Sequence, residues 1–478
     1  MSDGHVSAHR LVGLLADYPL TRPAYRSLGA AIHSLLVDGR LTHRTRLPSE
    51  RELSLALGVS RTTVTRAYGE LVESGWATAR RGSGTTLRLR GREQIGNRHL
   101  VVGDEDEDVI NLMIAAPPAP AGTMDAIERA TAKLPSRLTG HGYRTSGEPM
   151  LRERIAAYFE HRGLPTDPDQ ILVTPGALAA TAIVVRALIG SGDRAVMETP
   201  TYPNSVETLA AGGARVVGLP VGADGWDADG FEAIVRQTAP RLALLIPDFH
   251  NPTGVLMDEA TRRRFGEILG RTRTIGVADE TMVDLALDAV DMPPPFAASN
   301  PGVITIGSAS KAFWGGFRIG WMRVPPNLRE QMLHARTSLD LGCSMVDQLV
   351  AYELFTHREA LVGERLRSLR ESRDALVTAL REQLPDWEFR TPAGGVTLWV
   401  RMPEPVSSAV VLAAERHGVL LASGGQFGVG QDLRHYLRLP FTAPADVLRE
   451  GVARLALAYE EATADPTRVR ERAGAFIA

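Results

Sequence analysis

Val303-Ile304-Thr305-Ile306-Gly307-Ser308-Ala309-Ser310-Lys311 is the stretch on which the fold turns. Val303–Ile306 is a short apolar, β-branched run that reads as a buried strand. A hydroxyl-rich turn follows and ends in a lysine, and Arg318 stands seven residues further on. That order puts an amine at the carboxyl end of a strand, where open α/β sheets bind their ligands. On its own, a strand-end lysine is an ordinary surface residue, so the rest of the chain has to give it a role.

Outward from this stretch, Ile171–Val173, Arg194–Met197, Leu242–Ile246 and Ile275–Ala278 are further short apolar runs separated by helical patterns. The alternation predicts an α/β fold from about residue 109, a mostly parallel sheet covered by helices. After about residue 340 the pattern changes to a long helical stretch and then short strands at Thr397–Val400 and Tyr436–Leu439, which predicts a smaller C-terminal domain.

Several predicted strand ends carry chemistry. Asp279 closes Val277-Ala278-Asp279, and a carboxylate there can keep a pyridinium nitrogen protonated. Asn251-Pro252-Thr253-Gly254 follows Leu244–Pro247; as a tetrapeptide it is a plain turn. Thr174-Pro175-Gly176-Ala177 joins strand to helix, where backbone N–H groups cradle phosphate, or where the chain simply turns tightly. Tyr202 in Pro200-Thr201-Tyr202-Pro203 can stack on an aromatic ring, or simply pack within its loop. Lysine is nearly absent: of 53 basic residues only Lys133 and Lys311 are lysines. A lysine kept in so arginine-rich a chain points to a task that arginine cannot perform, since only the lysine amine forms a Schiff base.

The first 90 residues differ in charge, with 13 Arg against 7 acidic residues on a chain whose net charge is −3. Ala24–Val37 reads as an amphipathic helix ending near Gly39. Ser49 and Glu52 have capping-box spacing for a second helix that stops at Gly58. Ser60 caps a third that runs to about Ser74-Gly75. Trp76–Arg81 and Thr85–Arg88 then flank Gly82-Ser83-Gly84 as a hairpin. Helix, turn, helix, hairpin is a winged helix-turn-helix, whose recognition helix would begin at Ser60-Arg61-Thr62-Thr63. Arg61 can fork to a guanine edge, and arginine at the wing tip can meet phosphates. The boundaries expected are 1–88 for this unit, 89–108 for a polar, glycine-bearing linker, and 109–478 for the α/β unit. The single cysteine, Cys343, excludes an intrachain disulfide. No stretch of about 18 uncharged apolar residues is present to span a bilayer. The expectation is a cytoplasmic protein without a membrane partner or a metal.

Leu47-Pro48-Ser49-Glu50-Arg51-Glu52-Leu53, Leu57–Val64, Arg66-Ala67-Tyr68 and Gly75-Trp76 resemble the GntR family of bacterial regulators. The resemblance implies contacts to double-stranded operator DNA by Arg51, Ser60, Arg61, Thr62, Thr63 and Gly82. Thr65 stands where some relatives have arginine. The α/β unit resembles the fold-type-I aminotransferases, which implies pyridoxal 5'-phosphate as cofactor. In that resemblance Lys311 is the Schiff-base lysine, Asp279 pairs with the pyridine nitrogen, Asn251 binds the ring oxygen and Tyr202 stacks on the ring. Gly176, Ala177, Leu178, Ser308 and Arg318 surround the phosphate. Tyr143 reaches the partner subunit's phosphate, and Arg438 binds an amino acid's carboxylate. Two positions depart from the pattern. Thr281 and Met282 occupy the places where a tyrosine usually follows the aspartate, and Leu178 replaces a frequent glutamine.

Together the halves resemble the MocR subgroup, including its PdxR type. This implies a head-to-tail homodimer that regulates transcription, with pyridoxal phosphate or an amino compound as effector and vitamin B6 or amino-compound metabolism as the field of control. The alternatives are a working aminotransferase with an accessory head, and a structural DNA-binding dimer whose body no longer holds the cofactor.

Overall fold

The computed structural model describes residues 5–16, 18, 20–37, 40–41, 44–80, 84–88 and 109–464. The expected helix stop at Gly39, the wing tip at 81–83 with Gly82, and the linker at 89–108 lie outside them.

The head is built from local signals. Helices α1 (Ala8–Leu15), α2 (Ala24–Val37), α3 (Glu50–Leu57) and α4 (Arg61–Glu73) precede a hairpin of β1 (Ala77–Arg80) and β2 (Gly84–Leu87). The capping box forms as read: Ser49 N–H donates to Glu52 Oε2 at 2.9 Å, and Glu52 N–H donates to Ser49 Oγ at 3.2 Å. Gly58 ends α3 at φ +67°, a left-handed conformation that a side chain would strain. Leu28, Ile32 and Leu35 of α2 bury against Leu53, Val64, Ala67 and Leu71. Helix α1 was not expected, although Ser7 caps it and Leu11 and Leu15 recur at helical spacing to join this core.

The body's main sheet is formed by β4 (Ile171–Thr174), β5 (Arg194–Thr199), β6 (Arg215–Gly222), β7 (Gly225–Trp226), β8 (Leu242–Leu245), β9 (Ile275–Asp279), β10 (Ile304–Ser308) and β11 (Gly320–Arg323), with β3 (Ile110–Asn111) lying elsewhere. Its order is β4-β11-β10-β9-β8-β5-β6-β7. The run from β10 to β6 is parallel, and β11 is antiparallel to both its neighbours. Successive residues go to opposite faces. Val196, Ala243 and Ala278 enter one helix-covered core, while Ala195, Leu242, Leu244 and Val277 enter the other. Every expected strand is present. Three strands of this sheet were missed: β6, whose pattern is broken by Gly218 and Pro220, and the short β7 and β11.

A second, antiparallel sheet joins β12 (Glu388–Phe389), β13 (Thr397–Arg401), β15 (Ala422–Ser423) and β16 (Tyr436–Pro440), and packs on the helix Ala445–Ala464. The 26-residue helix Arg358–Gln383 spans both bodies of core. The start of the body also joins this smaller unit: β3 pairs in parallel with β14 (Val419–Leu420), and Leu112 and Ala115 are buried with it. Within the single chain the head touches the same unit, where the Arg434 guanidinium lies 4.4 Å from the centre of the Tyr18 ring.

Candidate ligand cleft and nucleic-acid interface

The parallel strands deliver their carboxyl ends to one cleft. Tyr202 follows β5, Asn251 follows β8, Asp279 ends β9, and Lys311 lies in the first turn after β10. Lys311 feels the positive charges of Arg438 and Arg318 and the negative charge of Asp279. Burial above all, then the two arginines, bring its amine down to about 8, with Asp279 opposing. A larger share of uncharged amine at neutral pH follows, the form that attacks a carbonyl. Burial pushes the Asp279 carboxyl up, against two hydrogen bonds from Thr281 and the charge of Lys311.

Those two bonds explain the departure at Thr281. Its N–H donates to Asp279 Oδ1 at 3.0 Å, and its hydroxyl donates to the same oxygen. The hydroxyl that stands near a tyrosine's usual place is thus turned to the aspartate, while Met282 is buried in the smaller core.

Gly176 sits at φ +92° as the N-cap of helix Ala177–Leu188, and a Cβ there would lie 2.7 Å from Arg318 Nη2. The lack of a side chain leaves a concave helix N-terminus faced by a guanidinium, a cradle for an anion. Ala177 and Leu178 open that helix. Arg318 donates to Pro175 O at 3.1 Å, and Ser308 Oγ lies 2.8 Å from Ser310 Oγ. Asn251 is buried and its side-chain Oδ1 has no hydrogen-bond partner. Tyr202 accepts from Asn204 at 3.0 Å; burial raises its hydroxyl's pKa, and Arg438 is among the charges it feels. Arg438 reaches the cleft from β16. It is 1% exposed, and its Nη2 donates to Met113 O. Among the described residues no carboxylate pairs with it, and burial lowers its pKa to about 10. Tyr143 is not brought to the cleft: it is 62% exposed, beside His141.

Three buried groups next to the Tyr202 and Asn251 motifs escaped the sequence analysis. Glu198 on β5 is fully buried, accepting from Ile246 N–H at 2.8 Å and Trp226 Nε1 at 3.2 Å, and burial raises it to about 7. His250 is fully buried, lowered to about 3, and hydrogen-bonded to Thr253 at 2.9 Å. Thr201 has a buried hydroxyl without a partner. Adjacency to the Tyr202 and Asn251 motifs was the only signal available.

On the head, Ser60 Oγ accepts from Thr63 N–H at 3.1 Å, so the α4 start is a capped helix end with Arg61 and Thr62 exposed. Arg51 is exposed on α3. Glu50 also stands here: its Oε2 lies 3.4 Å from Arg61 Nε and accepts from Thr65 Oγ1 at 2.8 Å. Thr65, in arginine's place, thus helps fix the acid that holds Arg61.

Residues 107–455 match the family described as aminotransferase class I and II, and residues 24–87 match the bacterial regulatory proteins of the gntR family. The probable rhizopine catabolism regulatory protein MocR of Rhizobium meliloti is 30% identical over 403 residues, 78% of this chain and 79% of the relative. The uncharacterized HTH-type transcriptional regulator YdfD of Bacillus subtilis is 25% identical across 92% of this chain and 97% of its own. Among solved structures, the α-aminoadipate aminotransferase LysN of Thermus thermophilus, complexed with N-(5'-phosphopyridoxyl)-L-leucine, superposes with a TM-score of 0.69 at 25% identity, over 75% of this chain and 94% of that one. The chain therefore belongs to the class I and II aminotransferase family, carries a gntR-family helix-turn-helix head, and has the make-up of the MocR subgroup of transcription regulators.

Proposed function

We propose that this protein binds operator DNA through its head and holds pyridoxal phosphate in its cleft as the sensor of an amino-compound effector. The observation that carries the reading is Arg438, a buried guanidinium that faces the cleft of Lys311 and, among the described residues, has no carboxylate partner. The residues fit the cofactor: the bare Gly176 accommodates phosphate against Arg318, and the unpartnered Asn251 suits a ring oxygen. Bound there, pyridoxal phosphate supplies an aldehyde that takes up primary amines and a ring that withdraws electrons.

The chain's own groups do the rest. Lys311 supplies the amine that anchors the cofactor. Asp279, oriented by Thr281, holds a proton at the pyridine nitrogen, and Tyr202 covers a ring face. Backbone N–H groups of Gly176, Ala177 and Leu178, with Ser308 and Arg318, hold the phosphate, and Tyr143 serves the partner subunit's site. Arg438 receives the effector's carboxylate bidentately. On the head, Arg51, Ser60, Arg61, Thr62, Thr63 and Gly82 meet the DNA. Two heads on a two-fold dimer match paired half-sites. The 20 residues of 89–108 reach at most ~70 Å at 3.3–3.6 Å each, enough for the head to rest on its own body or on its partner's. The regulated genes belong to vitamin B6 or amino-compound metabolism.

Borohydride reduction should fix the cofactor to the wild type and leave Lys311→Ala unlabelled; labelling of that variant overturns the assignment. A footprint on DNA upstream of the protein's own gene should change when pyridoxal phosphate or an amino compound is added. The complete set Lys311, Asp279 and Arg438 supports transamination as the second reading. Steady conversion of an amino acid with a keto acid, without any footprint, would favour it.

A further inference from the structure

The segment that follows the linker crosses the mouth of the cleft. β3 fixes its start, with Ile110 N–H donating to Gly418 O and Leu112 N–H to Leu420 O, both at 2.9 Å. Its next carbonyls are taken up by side chains of the body. Met113 O accepts from Arg438, Ile114 O from Thr442 Oγ1 at 3.1 Å, Ala115 O from Lys311 Nζ at 2.6 Å, and Pro118 O from Arg365. One of these donors, Arg438, is the group that would receive an amino acid's carboxylate, and another, Lys311, is the amine that would anchor the cofactor. Lys311 belongs to the large unit and Arg438 to the small one; once Lys311 is committed to the cofactor, the segment stays held by Arg438, Thr442 and Arg365. The carbonyl of Met113 occupies a hydrogen-bonding position on Arg438 that a ligand's carboxylate oxygen would take.

We propose that residues 113–118 are a tethered strap, and that an amino compound bearing a carboxylate releases it by taking Arg438 from the carbonyl of Met113, thereby freeing the head. This rests on the reading of Arg438 as the effector's anchor. A carboxylate gives a guanidinium two parallel, charge-assisted hydrogen bonds where a peptide carbonyl gives one neutral acceptor, so the exchange favours the ligand. In sequence the strap is followed back through β3 to residues 89–108 and the head. The head also touches the turn that precedes β16, the strand of Arg438, since Arg434 lies over the Tyr18 ring four residues before Arg438. Effector occupancy thus has two neighbouring routes to the head, and a ligand that binds the strap-released state better shifts the balance by that difference in affinity. An amine without a carboxylate leaves Arg438 on Met113 and does not release the strap.

The test is hydrogen exchange on the full-length protein loaded with pyridoxal phosphate, reading amides 109–122 and helix Ala8–Leu15. The probes are the twenty protein amino acids and 4-aminobutyrate, each beside its amine without a carboxylate where one exists, with binding followed by cofactor absorbance. The expected result is at least a tenfold faster exchange of 109–122 with those amino acids that change the absorbance, a parallel rise in helix Ala8–Leu15, and no change with the matched amines. Thr442→Val, which loses one strap hydrogen bond outside the cleft groups, should lower the amino-acid concentration at half-effect several-fold. Absorbance changes without faster exchange of 109–122 would overturn the strap and leave the effector reading standing. Faster exchange of the strap with helix Ala8–Leu15 unaltered would overturn its coupling to the head. If no probe alters the absorbance, the effector reading itself fails and the strap proposal with it.

Discussion

Arg61 and Arg438 are the two arginines on which the proposed function turns, and the fold builds them in opposite ways. The Arg61 side chain is 70% exposed at the start of a capped helix, with the carboxylate of Glu50 beside it. Arg438 is 1% exposed on a central strand of the smaller sheet, and among the described residues it meets a backbone carbonyl and, at 4.9 Å, the Phe427 ring, but no carboxylate. An exposed arginine already has water and a carboxylate, so DNA must outcompete both, and each contact adds a modest increment. A buried arginine without an anion keeps most of its Coulomb energy unspent until a carboxylate arrives. The head is therefore a surface for many small contacts, and the body a receptor for one strong contact.

Substitutions can break or sharpen that contrast. Arg438→Gln should show the largest effect, weakening binding of a carboxylate-bearing effector by about 2–5 kcal/mol. Titration of cofactor absorbance checks this, and an unchanged affinity would remove the buried-receptor half of the comparison. Next comes Glu198→Gln, which keeps the acceptor for Ile246 and Trp226. Burial raises the Glu198 carboxyl from 4.5 to about 7, so the stability of its protonated form is fully present below about 4.5 and is lost as pH rises through about 7. The variant should gain on the order of 3 kcal/mol over wild type at pH 8, at 1.36 kcal/mol per pKa unit, and nothing at pH 4. Denaturant unfolding at both pH values measures it.

On the exposed side, Arg61→Ala should weaken operator binding by about 1–3 kcal/mol and relax specificity at a single base pair. Unchanged operator affinity would count against the head as a DNA reader. The smallest effect is expected from Glu50→Gln. Releasing Arg61 from a solvent-exposed ion pair should tighten DNA binding by about 0.5 kcal/mol, read by affinity at low salt. A loss of several-fold instead would show that Glu50 positions Arg61 for its base rather than competing for it.

What was legible in the sequence was local or motif-borne. The capping box at Ser49 and Glu52, the stop at Gly58 and the cap at Ser60 are each decided within a few residues, and the structure forms them as read. The strand ends bearing Asp279 and Lys311 were visible because buried parallel strands are short, continuous apolar runs. β6 was missed because Gly218 and Pro220 interrupt its run, while pairing with β5 holds it in the sheet. The pairing of Ile110–Asn111 with Val419–Leu420 joins positions some 300 residues apart, and nothing in a two-residue strand announces its partner. Glu198 and His250 looked like ordinary polar residues, since burial to the point of shifted protonation is a property of the packed fold alone. Leu178 and Tyr143 were legible only through resemblance. The geometry leaves both at exposed positions.

The scarcity of lysine gives the strap a chemical reporter. Acylating reagents find only two side-chain amines, and Lys133 is engaged by Glu353 at 2.8 Å. Lys311 is held under the carbonyl of Ala115, yet its lowered pKa leaves a larger share of its amine uncharged and reactive once uncovered. In cofactor-free protein, the rate at which a trace of acetic anhydride marks Lys311 becomes a clock for how often the cleft opens, with Lys133 as the built-in standard in the same mass spectrum.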